Sequence, residues 1–245
     1  MIKKVLLAFF MLSGPAWSTN CYELNHARKV FAICEVDVAS EELRLFLYNQ
    51  SGELYGQFGK IDDALRLNGQ SLGFAMNAGM YHENRAPVGH YLEDGQELMG
   101  VISNAGPGNF GLLPNGVLCI SSGQAHVIET LQFVETSPEC IHATQSGPML
   151  VIDGKLHPRF LPDSTSRFVR NGVGTNADGS KAVFVMSNSP VTFHQFGSVF
   201  RDALNLPNAL YFDGNISRLY APDLNRNDFG FSLGPIIGTV ISAIE

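Results

Sequence analysis

The segment VLCISSGQAHVI, residues 117–128, predicts a β-hairpin and sets the pattern for the rest of the chain. Its apolar runs, 117–120 and 125–128, lie on either side of the dipeptide Ser122-Gly123. Glycine readily adopts the positive φ that a tight hairpin turn requires. We therefore expect two antiparallel strands joined by this turn.

Four more dipeptides of the same kind separate apolar runs in this chain, namely Ser51-Gly52, Asp94-Gly95, Asp153-Gly154 and Asp178-Gly179. The first lies between residues 43–48 and 54–58, and the second between 89–92 and 97–101. Hairpins join antiparallel strands, so repeated hairpins predict mostly antiparallel sheet.

Helical patterns are fewer. Apolar residues recur at helical spacing near residues 197–205, and a shorter helix is expected over 62–67. Strands with a few helices, without regular alternation of the two, indicate an α+β fold. We expect mostly antiparallel sheets built from hairpins with a few helices, in a single domain.

The first 18 residues are typical of a signal peptide. Lys3 and Lys4 precede an apolar run, 5–12, that is too short to span a bilayer as a helix. Ala16-Trp17-Ser18 then places small residues at the positions that signal peptidase reads. We predict a signal peptide over 1–18 and a mature domain over 19–245. That domain would be periplasmic or secreted, with no stable membrane span.

The charge balance argues against nucleic acid as a partner. The whole chain carries a formal charge of −7, and removing Lys3 and Lys4 with the signal peptide makes it −9. Nucleic-acid binding depends on clustered Lys and Arg, which this composition does not offer.

Four cysteines remain after the predicted cleavage, an even number in an oxidising compartment, so we expect disulfides. Three pairings are possible in principle, and we predict the nearest-neighbour one, Cys21–Cys34 with Cys119–Cys140. The alternative is a metal site. No Cys-x-x-Cys or His-x-x-x-His spacing supports it.

Four segments place glycine and polar residues directly after apolar strands, where a rigid scaffold presents reactive groups. They are FAMNAGMY (74–81), QSGPMLV (145–151), RNGVG (170–174) and LYFDGNIS (210–217).

The order NAGM, SGPMLV, RNGVG, FRDAL and ALYFDG-x-x-S resembles the phosphodiester glycosidase family, across roughly residues 74–220. That family includes the animal enzyme that uncovers mannose 6-phosphate by removing N-acetylglucosamine, and the chain is similar to its bacterial exported branch. Two motifs depart from the family pattern. Arg170-Asn171-Gly172 replaces Arg-Thr-Ala, and the fourth motif reads Asp-Gly-Asn-Ile-Ser in place of Asp-Gly-Gly-Gly-Ser. The second change puts larger residues in the loop, so the substrate is expected to differ.

The resemblance implies hydrolysis of a sugar-1-phosphodiester, whose leaving group is already a stable anion and needs little general-acid help. Such a site needs a cation for phosphate and a carboxylate on the far side of the sugar. Arg170 is the candidate cation because its guanidinium binds phosphate in a bidentate manner. Asp213 is the candidate nucleophile or base, and Glu83 a second carboxylate. The residues expected to shape the pocket or bind substrate are Asn77, Gly79, Gly147, Asn171, Gly214 and Ser217.

Each assignment has a structural alternative. Asp213-Gly214 is also a common turn sequence. Arg170 is also suited to a structural ion pair with a carboxylate such as Asp202, and Asn77 to a hydrogen bond within its own turn. Glu83 is also typical of a solvated surface residue. No organic cofactor is implied. Asp213, Asn77 and backbone carbonyls are suited to a divalent cation, which the sequence does not establish.

The predicted function is therefore an exported hydrolase that cleaves a glycosyl phosphodiester in the cell envelope. The alternative is a non-catalytic envelope module that binds phosphorylated glycans with the same arginine and glycine-rich loops.

Overall fold

The structure, a computed structural model, describes residues 19–214 and 216–243. The predicted signal peptide, 1–18, lies outside the described residues, as does Asn215. Three antiparallel sheets and three α-helices make up the described part of the chain, which confirms the predicted fold class. Within the same residues, no helix is long and apolar enough to cross a membrane.

The strands, in chain order, are β1 Asn20–His26, β2 Lys29–Asp37, β3 Glu42–Phe46, β4 Gln70–Asn77, β5 Tyr91–Glu93, β6 Gln96–Met99, β7 Gly116–Ser121, β8 Gln124–Glu129, β9 His142–Ser146, β10 Met149–Ile152, β11 Lys155–Leu156, β12 Asn171–Thr175, β13 Lys181–Ser187, β14 Asn208–Asp213, β15 Leu219–Ala221, β16 Arg226–Asn227 and β17 Ile236–Ser242. The helices are α1 Phe58–Arg66, α2 Thr130–Thr136 and α3 Phe193–Ser198, and a π-helical turn, Val199–Ala203, continues α3.

Three sheets divide these strands. Sheet A has the order β1-β2-β13-β12-β14-β10-β11, sheet B the order β16-β15-β4-β17-β3, and sheet C the order β6-β5-β9-β7-β8. Strands distant in sequence are neighbours in each sheet. The four motif-bearing segments therefore come from all three sheets: β4 from B, β9 from C, and β12 and β14 from A.

Four of the five predicted hairpin turns are confirmed, at 94–95, 122–123, 153–154 and 178–179. The fifth prediction is only partly right, because Ser51-Gly52 closes a single bridge between Tyr48 and Leu54. The predicted strand 54–58 is wrong at its end. Phe58 instead begins α1, where Phe58, Ile61 and Leu65 form a buried face at helical spacing.

The helices are longer or more numerous than predicted. Helix α1 begins four residues before the predicted 62–67 segment. Helix α3 begins at Phe193, where Thr192 and Gln195 form a capping box that satisfies the first-turn amides. Helix α2 was not predicted. The Glu129 carboxylate caps it by accepting from the amides of Leu131 and Gln132.

Both predicted disulfides, Cys21–Cys34 and Cys119–Cys140, are present. Cys21 and Cys34 lie directly opposite each other in the β1–β2 pair, a hairpin that the sequence pattern did not predict. Cys119 on β7 is joined to the segment that leads into β9, so the second bridge reinforces sheet C.

The three sheets share one hydrophobic core, to which sheet A contributes Phe184, sheet B Phe74 and sheet C Leu118. The rings of Phe74 and Phe184 lie 4.9 Å apart between their centroids, which joins sheets A and B directly. Helix α3 covers the opposite face of sheet A through Phe196, and α1 covers sheet B through Ile61. The sheets are thereby fixed relative to one another around the ends of β4, β12 and β14.

One acidic side chain packs at the junction of sheets B and C. The Tyr91 hydroxyl donates to Glu93 Oε2 at 2.6 Å. Burial raises the pKa of Glu93 to about 7 from its ordinary value of 4.5, although the Tyr91 bond opposes this rise. Between these two pH values the folded protein holds a proton that the unfolded chain has released. Glu93 therefore makes stability fall as pH rises from about 4.5 through about 7.

We predict that Glu93→Gln, which stays neutral and can still accept the Tyr91 bond, matches the wild type at pH 5 and exceeds it at pH 8. The expected gain is on the order of 2 kcal/mol, or roughly 5 °C in the unfolding midpoint. Thermal melts between pH 5 and 8 measure this difference. Glu135→Gln, on the exposed face of α2, is the matched control and should show none. A constant difference between Glu93→Gln and wild type across that range would contradict the assignment.

Candidate functional site

The side chain of Asn171 joins three strands. Its Nδ2 donates to the Asn77 carbonyl at the end of β4 at 2.9 Å, and its Oδ1 accepts from the Asp213 amide at the end of β14 at 3.1 Å. Asn171 itself begins β12 and is fully buried. One amide group therefore brings the NAGM, RNGVG and LYFDGNIS segments together.

Asn77 holds the loop that follows β14. Its Nδ2 donates to the Ile216 carbonyl at 2.8 Å, and its Oδ1 accepts from the Arg218 amide at 3.0 Å. The alternative that Asn77 only bonds within its own turn is therefore wrong. Ser217 Oγ donates to the Val169 carbonyl at 3.2 Å, so the loop is fixed on its second side as well.

Asp213 ends β14 beside a bulge and lies opposite Asn171. Its Oδ1 accepts from the Gly214 amide at 2.6 Å, as expected of a turn. Two tyrosines also lie within its electrostatic reach. Burial raises the pKa of both Tyr81 and Tyr211, and the Asp213 charge adds to the rise at each. A simple surface turn does not place two buried phenols around its aspartate.

Arg170 is buried, with a side chain that is only 1% exposed. Its Nε donates to the Val191 carbonyl at 3.0 Å, and its Cζ lies 3.6 Å from the centre of the Phe193 ring. The alternative of an ion pair with Asp202 is wrong, because Asp202 binds Arg201. Burial lowers the pKa of Arg170, while Tyr211 beside it favours the charged form.

Four buried side-chain atoms within the described residues have no hydrogen-bond partner: Tyr81 Oη, Arg170 Nη1, Tyr211 Oη and Arg218 Nε. Burying a polar group unpaired costs free energy, so such groups are rare and require an explanation. All four belong to one neighbourhood. Asp213 influences both tyrosines, Arg170 lies beside Tyr211, and Arg218 lies within electrostatic reach of Tyr81. The arrangement suits a polar, anionic ligand.

A cleft of approximately 530 Å³ opens next to this group. Its walls come from the end of β13, the loop after β14 and the segment after β16, and they include Ser187, Gly214, Ser217, Arg218, Asp228, Phe229 and Phe231. A larger cavity of approximately 1090 Å³ lies over sheet C, and none of the predicted catalytic or substrate-binding residues lines it. We place the candidate site at the smaller cleft, because it is lined by Arg218, which carries one of the unpartnered donors, and by Gly214, the neighbour of Asp213.

A model of the phosphodiester glycosidase family (NAGPA) matches residues 70–233, which contain all of this neighbourhood. The chain belongs to the phosphodiester glycosidase family. It is 32% identical to the uncharacterized protein YigE of Escherichia coli K12 over 219 residues, which are 89% of this chain and 85% of YigE.

Solved structures show the same fold at lower identity. The catalytic domain of zebrafish N-acetylglucosamine-1-phosphodiester alpha-N-acetylglucosaminidase superposes with a TM-score of 0.57 at 13% identity, over 96% of this chain and 85% of that one. A hypothetical protein from Synechocystis superposes with a TM-score of 0.59 at 12% identity, over 91% of this chain and 62% of its own length. A "Putative exported protein" from Burkholderia pseudomallei K96243 superposes with a TM-score of 0.55 at 10% identity, over 86% of this chain and 74% of its own length.

The motif glycines have separate structural roles. Gly79 has a φ of 101°, and a Cβ there would lie 2.8 Å from Thr144 Oγ1. At Gly214 a Cβ would lie on the Tyr211 hydroxyl, so this glycine makes room for one of the unpartnered groups. Gly147 packs against Asn115 and leads into the β9–β10 corner, which bonds to the Tyr211 amide through the Pro148 carbonyl at 3.1 Å.

The two departures from the family pattern have visible structural consequences in this chain. Asn171 supplies both a donor and an acceptor, and a threonine hydroxyl is too short to bridge the same two strands. Ile216 packs against the cluster beneath α1 and also lines the cleft.

Sequence reasoning missed Arg218, Tyr81 and Tyr211. Tyr81 ends the segment FAMNAGMY, Tyr211 lies within LYFDGNIS, and Arg218 directly follows that segment. Their closeness in sequence to Gly79 and Asp213 was the available signal. Glu83, by contrast, is exposed in the turn 82–85, where its carbonyl accepts from Arg85.

The residues considered for a divalent cation do not form an oxygen-rich cluster. Asn77 Oδ1 accepts from the Arg218 amide, and the guanidinium groups of Arg170 and Arg218 contribute positive charge nearby. Within residues 19–214 and 216–243, no group of three His, Cys, Asp or Glu is placed to hold a metal ion. The neighbourhood fits an anion better than a cation.

We predict that Asn171→Ala lowers the free energy of unfolding by roughly 2–4 kcal/mol, because the Asn77 carbonyl and the Asp213 amide both lose a buried partner. The midpoint of thermal unfolding should fall by roughly 5–10 °C. Asn84→Ala, in the exposed turn after Tyr81, is the control and should change stability by less than about 0.5 kcal/mol. Equal midpoints for the two variants would show that Asn171 does not hold the strands together.

Proposed function

We propose that this protein is an exported hydrolase that cleaves the bond between a sugar and phosphate in a glycosyl phosphodiester of the cell envelope. Membership of the phosphodiester glycosidase family supports the reaction class. The observation that carries the proposal is a set of four unpartnered buried polar atoms, two of them on arginines: Tyr81 and Tyr211 lie within electrostatic reach of Asp213, and each of these tyrosines lies within reach of one of the arginines.

The charges fit the reaction. The phosphate of the substrate is anionic and leaves as a monoester with an additional negative charge, which Arg170 Nη1 and Arg218 Nε can stabilise. Both atoms are buried, and electrostatic interactions are stronger there than in water. The cations need no reorganisation, because the Val191 carbonyl and the Phe193 ring already hold Arg170 in place.

Asp213 supplies the carboxylate. We assign it to attack on the anomeric carbon, or to activation of the water that attacks it. Asn171 and Gly214 fix the backbone on either side of it. The hydroxyls of Tyr81 and Tyr211 remain protonated at neutral pH, because burial raises the pKa of each, so they are available as donors to substrate oxygens.

Glu83 is assigned no essential role as a second carboxylate in this mechanism. It is exposed on the turn beyond Tyr81, and a phosphate leaving group needs little protonation. The remaining motif residues, Asn77, Gly79, Gly147, Asn171, Gly214 and Ser217, are proposed to shape the pocket through the contacts described above.

We place the protein in the periplasm or outside the cell. Two disulfides form where the compartment is oxidising, and residues 1–18 match a signal peptide. Membership of the family points to a glycan phosphodiester as its partner.

We predict a distinct kinetic signature for two variants. Asp213→Asn is nearly isosteric and should reduce kcat by about 10³-fold or more with little change in substrate affinity. Arg170→Lys keeps the charge but loses the planar fork, so it should lower kcat and weaken binding together. Turnover of methyl N-acetylglucosamine-1-phosphodiester, followed by release of methyl phosphate, measures both.

Asp202→Asn, an exposed aspartate on the π-helical turn, is the matched control and should retain full turnover. Thermal melts must show that each variant is folded. Full activity in folded Asp213→Asn would rule out the assigned carboxylate. Tight binding of the diester with no turnover by the wild type would instead identify a glycan-binding module.

A further inference from the structure

Two aromatic side chains stand out on the surface. Phe229 is 89% exposed and Phe231 is 80% exposed, and both line the cleft beside Arg218. Burying one phenylalanine side chain stabilises by about 1.5–3 kcal/mol, so two exposed rings that line one cleft are expected to have an apolar partner.

The loop that carries these rings is fixed through its backbone. The Gly230 carbonyl accepts from Gln57 Nε2 at 3.0 Å, and the Phe231 carbonyl accepts from Arg218 Nη2. On the N-terminal side, the Asp228 amide donates to the Leu219 carbonyl at 3.0 Å. The exposed rings are therefore displayed by an ordered segment, with their side chains left free to meet a ligand.

The polar groups beside the rings are already engaged. Gln57 Oε1 accepts from Arg218 Nη1 at 3.0 Å, and the Asp228 carboxylate accepts from Arg226 Nε and from the Leu219 amide. Recognition of a second sugar would need hydrogen-bonding groups at the edges of the rings, and phenylalanine has none. A hydrocarbon chain needs only the apolar faces.

Arg218 connects the rings to the proposed site. Its backbone amide donates to Asn77, its Nε is one of the unpartnered buried atoms, and its Nη2 donates to the Phe231 carbonyl in the Phe-bearing loop. A phosphate bound at Arg218 would present its second substituent to the two rings.

We infer that Phe229 and Phe231 bind the hydrocarbon part of the group that remains on phosphate, so that the substrate is a glycosyl phosphodiester carrying an alkyl or prenyl chain. This inference rests on the proposed function. In the reaction the bond from the anomeric carbon to the phosphate oxygen breaks and water adds to that carbon. The products are the free sugar and an alkyl phosphate monoester, with one proton released to solvent or buffer.

The test compares the methyl and hexyl esters of N-acetylglucosamine 1-phosphate, the latter below its critical micelle concentration. The wild type should prefer the hexyl ester by tenfold or more in kcat/KM, because five added methylenes can be buried. In Phe229→Ser/Phe231→Ser the preference should fall to near one, and each single variant should lose part of it. Leu131→Ser, which removes an exposed leucine on α2 outside the cleft, should keep the wild-type preference.

A second arm is independent of turnover. Calorimetry should show that the wild type binds hexyl phosphate at least tenfold more tightly than methyl phosphate, and that the double variant does not. Turnover of both esters without chain preference overturns the inference and leaves the proposed function intact. Preference for hexyl phosphate without turnover of either ester refutes the hydrolysis and leaves the hydrocarbon site in place.

The remaining outcome concerns a lipid surface. Sedimentation with phosphatidylcholine vesicles that depends on both rings, together with equal binding of hexyl and methyl phosphate, would overturn the inference and assign the rings to membrane contact.

Discussion

The site depends on one buried amide, that of Asn171. By donating to β4 and accepting from β14, it fixes the ends of three strands that are distant in sequence and belong to two different sheets. Asn77 continues the same chain of hydrogen bonds into the loop that carries Ser217 and Arg218. A small shift in any of these strands would change the position of Asp213 relative to Tyr81 and Tyr211.

The second constraint is electrostatic. The guanidinium groups of Arg170 and Arg218 are buried, and the rings of Phe193 and Tyr211 contact that of Arg170. Burial lowers the pKa of both arginines, which records the cost of desolvating their charge. A bound phosphate would offset that cost, so the free energy of folding and the affinity for anions are linked at this site.

Local sequence signals predicted much of the fold and part of the site. Turn dipeptides such as Ser122-Gly123 identified hairpins because the preference of glycine for a positive φ is a local property. The disulfides were predicted from the even number of cysteines and the expected export. The turn dipeptide Ser51-Gly52 led to a wrong prediction at Phe58. That residue begins a helix instead of ending a strand, because Phe58, Ile61 and Leu65 form a buried face at helical spacing. The strand-end motifs located Asp213 and Asn77, but not the hydrogen bonds through which Asn171 joins their strands. Those bonds depend on register across sheets, and the burial of Arg170 depends on Phe193, which approaches only when α3 packs on sheet A.

The central claim is that the neighbourhood of Asp213 binds the phosphate of a glycosyl phosphodiester. The most direct measurement is a crystal structure of the Asp213→Asn protein with an uncleaved sugar-1-phosphodiester. In that structure, phosphate oxygens should lie within hydrogen-bonding distance of Arg170 Nη1 or Arg218 Nε, and the anomeric carbon should face residue 213. A ligand in the cavity over sheet C, with the four buried atoms still unpartnered, would contradict it.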